Sequence, residues 1–182
     1  MNTTPSNAPV FLVITVLGDD RHGLVGELSA VISAHGGNWL DSSMAQLAGK
    51  FAGIVKVAVA QDSELALQQA LAKFQGLKIT VETSRSSQLV LSTRRLKLAL
   101  VGNDRIGIVK EVSQVLAHHA VNVESLETST SSAPMSADTL FHAVAELTAA
   151  ATLDTAALTR ELERISNDLM VDITLDESIS HQ

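Results

Sequence analysis

The chain has 182 residues, 46% of them hydrophobic, and a mean hydropathy of +0.22, enough apolar material for one large core or two small ones and too much for a disordered chain. Thirteen Lys and Arg against 20 Asp and Glu leave a net charge of -7, which argues against direct contact with nucleic acid or an anionic membrane, since both need a basic surface. The absence of cysteine and an aromatic content of 3% exclude disulfide scaffolds, thiol catalysis, thiolate metal sites and base-stacking platforms.

Met1 to Pro9 is polar, has no basic cluster and precedes no cleavable apolar segment, so a cytoplasmic location is expected. Val10–Leu17 is almost wholly apolar and reads as a strand covered on both faces. It is interrupted by Thr15 and falls far short of a membrane span. Gly23–His35 changes to helical spacing, with Leu24, Val25, Leu28, Val31 and Ile32 on one side, and Gly36-Gly37 permits the left-handed turn that ends it. Asn38–Ala48 and Phe51–Ala60 form a hairpin about Gly49-Lys50. Asp62 is placed to cap a helix running to about Gln75, Gly76 stops it, and Leu77, Ile79 and Val81 alternate with polar residues in a last strand.

The same order then recurs. Aligning Leu17–Asn38 with Val101–Asn122, an offset of 84, makes ten of 22 positions identical. They include Gly18/Gly102, Asp20/Asp104, Arg21/Arg105, Gly23/Gly107, Glu27/Glu111, His35/His119 and Asn38/Asn122. Such self-similarity marks a duplicated module of about 85 residues. Its second copy has a strand at Arg94–Val101, a helix at Ile106–His119, a hairpin of Asn122–Thr130 and Thr139–Leu147, a helix at Asp154–Asn167 and a strand at Leu169–Leu175. The intervening segment, residues 131–138, is an insertion expected to form a mobile tip. Domains are therefore expected at 8–84 and 94–177, with a polar linker at 85–93 and a frayed tail at 179–182.

The order βαββαβ, twice, predicts an α+β protein of two ferredoxin-like domains in tandem, with two helices on one face of each antiparallel sheet. Phe11, Val13 and Leu17 make the opposite face of the first strand apolar as well. Such a face needs cover, so association through sheet or helix faces, in a homo-oligomer, is expected.

The strand–helix turn reads Gly18-Asp19-Asp20-Arg21-His22-Gly23-Leu24 and again Gly102-Asn103-Asp104-Arg105-Ile106-Gly107-Ile108. Two readings stand side by side. Asp20 and Asp104 can cap the helix, with Gly23 and Gly107 supplying a positive φ, and the turn is then purely structural. Alternatively, free N–H groups at the helix start, of Leu24 and Ile108 among others, receive a ligand carboxylate while Asp20 or Asp104 takes its amine. That arrangement suits an α-amino acid and not a nucleotide, for it is neither a dinucleotide fingerprint nor a P-loop. Asn38 and Asn122 either support the turn after the helix or reach a ligand held between adjacent modules. Arg21 and Arg105 either lie on a solvated face with Glu27 and Glu111 or neutralise a carboxylate.

His35 and His119 belong at helix C-termini, where a cation is favoured. His118 and His119 are expected to diverge around the helix and not to share a metal, His142 has no carboxylate partner in sequence, and His22 lies inside the turn. The Arg160, Glu161, Glu163 and Arg164 segment reads as a solvated face. No metal, cofactor or nucleophile-elbow pattern is present, and an enzyme is not expected.

At these turns the sequence resembles the ACT domain, whose signature is an apolar strand, Asp-x-Pro-Gly, an amphipathic helix and then Asn opening the next strand. Here it stands as Asp20-Arg21-His22-Gly23 with Asn38 and as Asp104-Arg105-Ile106-Gly107 with Asn122, His22 and Ile106 replacing the Pro. A tandem of this length, opening FLVITVLGDDRHGLV, is similar to the glycine cleavage system transcriptional repressor family. The resemblance implies an amino-acid-binding regulator, glycine being the favoured ligand. It would act on a transcriptional activator protein by protein–protein contact, without cofactor, direct nucleic-acid or membrane contact. Carried over, the ligand loop is Asp20, Gly23, Leu24 and Asn38 with Asp104, Gly107, Ile108 and Asn122. The alternative is an amino-acid-sensing regulatory subunit of a biosynthetic enzyme, which uses the same module.

Overall fold

A computed structural model describes residues 9–84, 93–133 and 138–177, and the chain divides into two compact units at Gln88/Leu89. The first unit runs β1 (Pro9–Asp19), α1 (Leu24–Ala34), β2 (Asn38–Leu47), β3 (Lys50–Ala60), α2 (Gln61–Ala72) and β4 (Leu77–Ser84). The second runs β5 (Thr93–Asn103), α3 (Ile108–His118), β6 (Asn122–Ser132), β7 (Thr139–Ala150), α4 (Thr155–Leu169) and β8 (Val171–Glu177). Each unit has one antiparallel sheet, in the order β2-β3-β1-β4 and β6-β7-β5-β8. This is the doubled ferredoxin-like arrangement that the periodicities predict. Among the described residues, no helix is long and apolar enough to cross a membrane.

The period-two alternation of β1 sends Leu12, Ile14 and Val16 to the helices, where they meet Val55 and Val57 of β3, Leu28 and Ile32 of α1, and Leu67 and Leu71 of α2. In the second unit Leu96, Leu98 and Leu100 meet Leu116, Leu147, Leu158 and Leu162. Each such side chain contributes about 1.5–3 kcal/mol on burial. The outer faces differ between the copies. Phe11 (37%), Leu17 (52%) and Ile54 (47%) are exposed on the first sheet. On the second, Lys97 stands opposite Glu146 and Asp176, all exposed. Val101 and Val144 are exposed there too, at 39% each, so the second outer face is more charged than the first but not free of apolar surface.

Several boundaries move for identifiable reasons. α2 begins at Gln61 directly from β3, with Ala60 as its N-cap and no side-chain cap, so Asp62 lies in the first turn near the positive end of the dipole and does not cap. The helix ends at Ala72, before Gln75. α4 is capped as expected, by the Asp154 carboxylate accepting from the Ala157 N–H at 2.9 Å. It runs to Leu169 because Leu169 is buried, and Met170, at φ 52, turns the chain into β8. The second hairpin reaches further than Thr130: Ser131 and Ser132 pair with Leu140 and Thr139, and the Ala133 N–H donates to the Asp138 carbonyl at 2.9 Å. Of the predicted tip, residues 134–137 lie outside the described residues, as do most of the linker (85–92) and the tail (178–182).

Candidate functional site

The two strand–helix turns are built alike. β1 closes with Asp19 opposite Lys50, the two side chains ion-paired, and β5 closes with Asn103 opposite Leu140. The next N–H is secured by the neighbouring hairpin: Asp20 donates to the Gly49 carbonyl at 2.9 Å and Asp104 to the Thr139 carbonyl at 2.8 Å. The chain then reaches Gly23 at φ 88 and Gly107 at φ 105, in the left-handed region that glycine enters without a steric cost. From there the first helical bonds run, Glu27 N–H to the Gly23 carbonyl and Glu111 N–H to the Gly107 carbonyl, both 2.9 Å. The helix starts are thus set by glycine, and neither N-cap has a side-chain hydrogen bond. The capping role considered for Asp20 and Asp104 is not realised, because the left-handed glycine already turns the chain.

That leaves both carboxylates exposed and without a partner among the described residues. They sit beside the N–H groups of the first helical turn, which precede the intrahelical ladder and have no partner within it. Leu24 and Ile108 are buried and send their side chains into the cores, so only their backbone is available to a ligand. The turn can therefore present an anion acceptor of hydrogen bonds next to a cluster of donors, a pairing that matches a zwitterion.

Arg21 and Glu27 are not independent solvated groups. The two guanidinium nitrogens donate to the two carboxylate oxygens at 2.5 Å each, strapping the turn to α1. The pairing holds the Glu27 carboxyl below its ordinary range and raises Arg21. Arg105 and Glu111 repeat the pair more loosely, at 3.7 Å. The carboxylate that Arg21 neutralises is thus one of the protein's own. His22 and Ile106, where the resembled signature has Pro, are exposed, Ile106 completely.

Asn38 and Asn122 are exposed at the starts of β2 and β6, opposite Ala58 and Thr148. Those pairs lie eight residues along β3 or β7 from Lys50 or Leu140 beside the turns, so about 26 Å separates each Asn from its own turn. Within a unit the structure brings Asp20 to Gly23 and Asp104 to Gly107 but does not bring either Asn to them.

Next to the second turn, an apolar cavity of about 30 Å³ lies among Ile108, Val109, Val112, Val123, Leu126 and Phe141. In the first unit Trp39 and Met44 pack against the core at the positions that Val123 and Thr128 occupy in the second. Gly18 and Gly102 also have a structural explanation that the sequence did not reveal. A Cβ on Gly18 would lie 2.2 Å from the Gly76 carbonyl oxygen, and one on Gly102 would lie 2.3 Å from Val171 Cγ1.

The histidines divide. His35 is the C-cap of α1, and its Nδ1–H donates to the Val31 carbonyl at 2.8 Å. His142 Nε2 and the Ser131 hydroxyl are hydrogen-bonded at 2.8 Å. The expected divergence of His118 and His119 is wrong. α3 ends at His118, and His119 leaves helical geometry as the C-cap, so both rings meet Glu161 of α4, at 3.3 and 2.8 Å. Glu161 is accordingly partly buried and engaged, not part of a solvated face. Glu161 is 42 residues from His119, which put it beyond any reading by local spacing.

A model of the ACT domain matches residues 10–84. The structure is similar to that of a protein of unknown function from Galdieria sulphuraria, 32% identical, over 94% of this chain and all of that one, with a TM-score of 0.82. It is also similar to a structure described provisionally as a glycine cleavage system transcriptional repressor. There the identity is 19% and the TM-score 0.70, over 94% of this chain and 99% of that one, a likeness of fold. No curated protein matches the sequence.

Proposed function

The chain belongs to the ACT-domain proteins, regulatory modules in which the present one is doubled, and we propose that it is an amino-acid-responsive regulator that senses glycine. In this reading it restrains transcription of a glycine cleavage operon by contact with an activator protein, and not by reading DNA. The observation that carries the sensing step is the pair of matching turns: an exposed carboxylate without a partner among the described residues, a left-handed glycine and the open first turn of a helix, at both Asp20–Leu24 and Asp104–Ile108. The carboxylate accepts the ligand ammonium, and the N–H groups of the helix start, at the positive end of its dipole, receive the ligand carboxylate. Asn38 and Asn122, remote from their own turns, contribute from a second chain, which makes the regulator a homo-oligomer. The net charge of -7 supports action through protein instead of nucleic acid. Amino acid alters activator binding only to the extent that it binds two states of the regulator differently.

A thermal-melt panel of the twenty amino acids tests this reading. At a concentration about 100 times its Kd, a ligand stabilises by about 2.7 kcal/mol. Glycine is expected to raise the melt, and Asp20→Ala with Asp104→Ala to abolish the rise while leaving the unliganded melt near that of the parent. A rise with a different amino acid moves the pathway; a rise that survives the double substitution refutes the site.

A further inference from the structure

The duplication makes one difference between the units conspicuous. His35 and His119 are the same residue of the repeat, each the C-cap of its first helix. In the first unit the preceding residue is Ala34, and His35 is occupied by the Val31 carbonyl of its own helix. In the second unit the preceding residue is His118, and the facing helix supplies a carboxylate. Matching Leu158 and Leu162 of α4 with Leu67 and Leu71 of α2, all four buried, puts Glu161 where the first unit has Ala70. Two replacements, at Ala34 and Ala70 in the first unit's terms, thus convert a helix-capping histidine into a cluster of three donor side chains.

The cluster converges because of how α3 ends. Residues adjacent on a helix point about 100° apart, but His119 sits at φ -88, ψ 11, and Ala120 is left-handed at φ 53. The two rings then lie with centroids 5.1 Å apart and planes at 63°. Both address the same oxygen of Glu161, Oε2: His119 Nε2 at 2.8 Å and His118 Nδ1 at 3.3 Å. The other oxygen, Oε1, faces Arg164 at 3.9 Å. All three donor atoms lie within 4.8 Å of one another. Ligand bonds of about 2.0–2.2 Å in a tetrahedron place donor atoms about 3.3–3.6 Å apart, so small side-chain rotations suffice to receive an ion.

We propose that His118, His119 and Glu161 bind one divalent transition-metal ion of the zinc class on the surface of the second unit. Two imidazoles and one carboxylate suit Zn²⁺, Cu²⁺ or Ni²⁺ and not Mg²⁺ or Ca²⁺, which take oxygen donors. Three protein ligands leave a fourth position open. Here it faces solvent, since the His118 side chain is 73% exposed, while His119 (15%) and Glu161 (27%) form the partly buried base. The hydrogen bond from His119, and after it that from His118, holds the Glu161 carboxyl below the ordinary glutamate range against the effect of partial burial. The surrounding groove between α3 and α4 also carries Glu111, Arg164 and Asp168.

The test is calorimetric titration of tag-free, chelator-treated full-length protein with ZnCl₂, repeated with Co²⁺ followed by visible absorption. One ion per chain is expected, with the absorption of low-coordinate Co²⁺. His119→Gln and Glu161→Gln each weaken binding at least about tenfold, and His142→Gln leaves it unchanged. His118→Gln, at an exposed position that does not support the fold, gives the same loss where either other variant is poorly folded. The absence of binding at millimolar Zn²⁺, or an affinity unaltered in the His118→Gln, His119→Gln double variant, overturns the assignment. The readout is independent of the amino-acid response.

Discussion

Gly18→Ala places a single methyl group where the structure has no room. Gly18 lies in β1 opposite Phe51 on one side and Leu77 on the other, at the point where the chain enters β4. The added Cβ would be 2.2 Å from the Gly76 carbonyl oxygen and 2.8 Å from Leu77 Cδ2. The leucine methyl can rotate away, but the carbonyl is backbone, and Gly76 is itself held at φ 86. A displacement of roughly 1 Å is required, placing the cost in the upper part of the 1–3 kcal/mol range for overpacking. Restricting the unfolded chain returns about 0.4–1 kcal/mol. The net loss is about 2 kcal/mol, which lowers the melting temperature of a unit of this size by about 8–16 °C. Gly26→Ala is the matched control. It lies inside α1, where a Cβ meets nothing within 4 Å, and should raise stability by about 0.5–1 kcal/mol. Scanning calorimetry on both variants, with and without amino acid, reads the result. An unchanged or raised melt for Gly18→Ala would refute the steric account of the repeated glycine.

Gly107→Ala forces a side chain into the left-handed region at φ 105 and should cost about 1–2 kcal/mol, seen as a lower denaturation midpoint of the second unit; no change would mean that the turn relaxes to another conformation. Asp154→Ala removes the one observed side-chain helix cap among the described residues and should cost about 1 kcal/mol, with Asp154→Asn recovering most of it in the same urea titration. The pH dependence of the Arg21–Glu27 strap follows from the depressed carboxyl. Its contribution is complete above the unfolded-state value of about 4.3 and is lost as pH falls through the lower folded value. The melting difference between parent and Glu27→Gln should therefore be constant from pH 7 to about 5.5 and shrink below about 4.3; a difference that grows with acid contradicts the sign.

What the sequence determined by itself was most of what has a short period or a short reach. Alternation in Leu12, Ile14 and Val16, helical spacing in Leu24, Leu28 and Ile32, and the glycines at 23 and 107 specify element type, order and buried side from residues a few positions apart. The offset of 84 then doubled the pattern. The left-handed turns were legible for the same reason: only glycine adopts that conformation without a penalty, so its place in the motif carries the geometry. Met170, left-handed without being glycine, gave no such signal, and the α4–β8 boundary was misplaced by two residues.

Tertiary structure decided what depends on residues far apart in the chain. Asp20 and Asp104 bind their backbone N–H groups to a hairpin, and their carboxylates have no partner among the described residues, which no spacing within the turn records. The separation of Asn38 from its turn follows from the antiparallel register of β3, the crowding at Gly18 from the path of β4, and the meeting of His118, His119 and Glu161 from two helices packed side by side. Periodicity states which face of an element is buried; it does not state what stands opposite, because that is set by strand register and helix packing, where the displacement of one residue changes every partner.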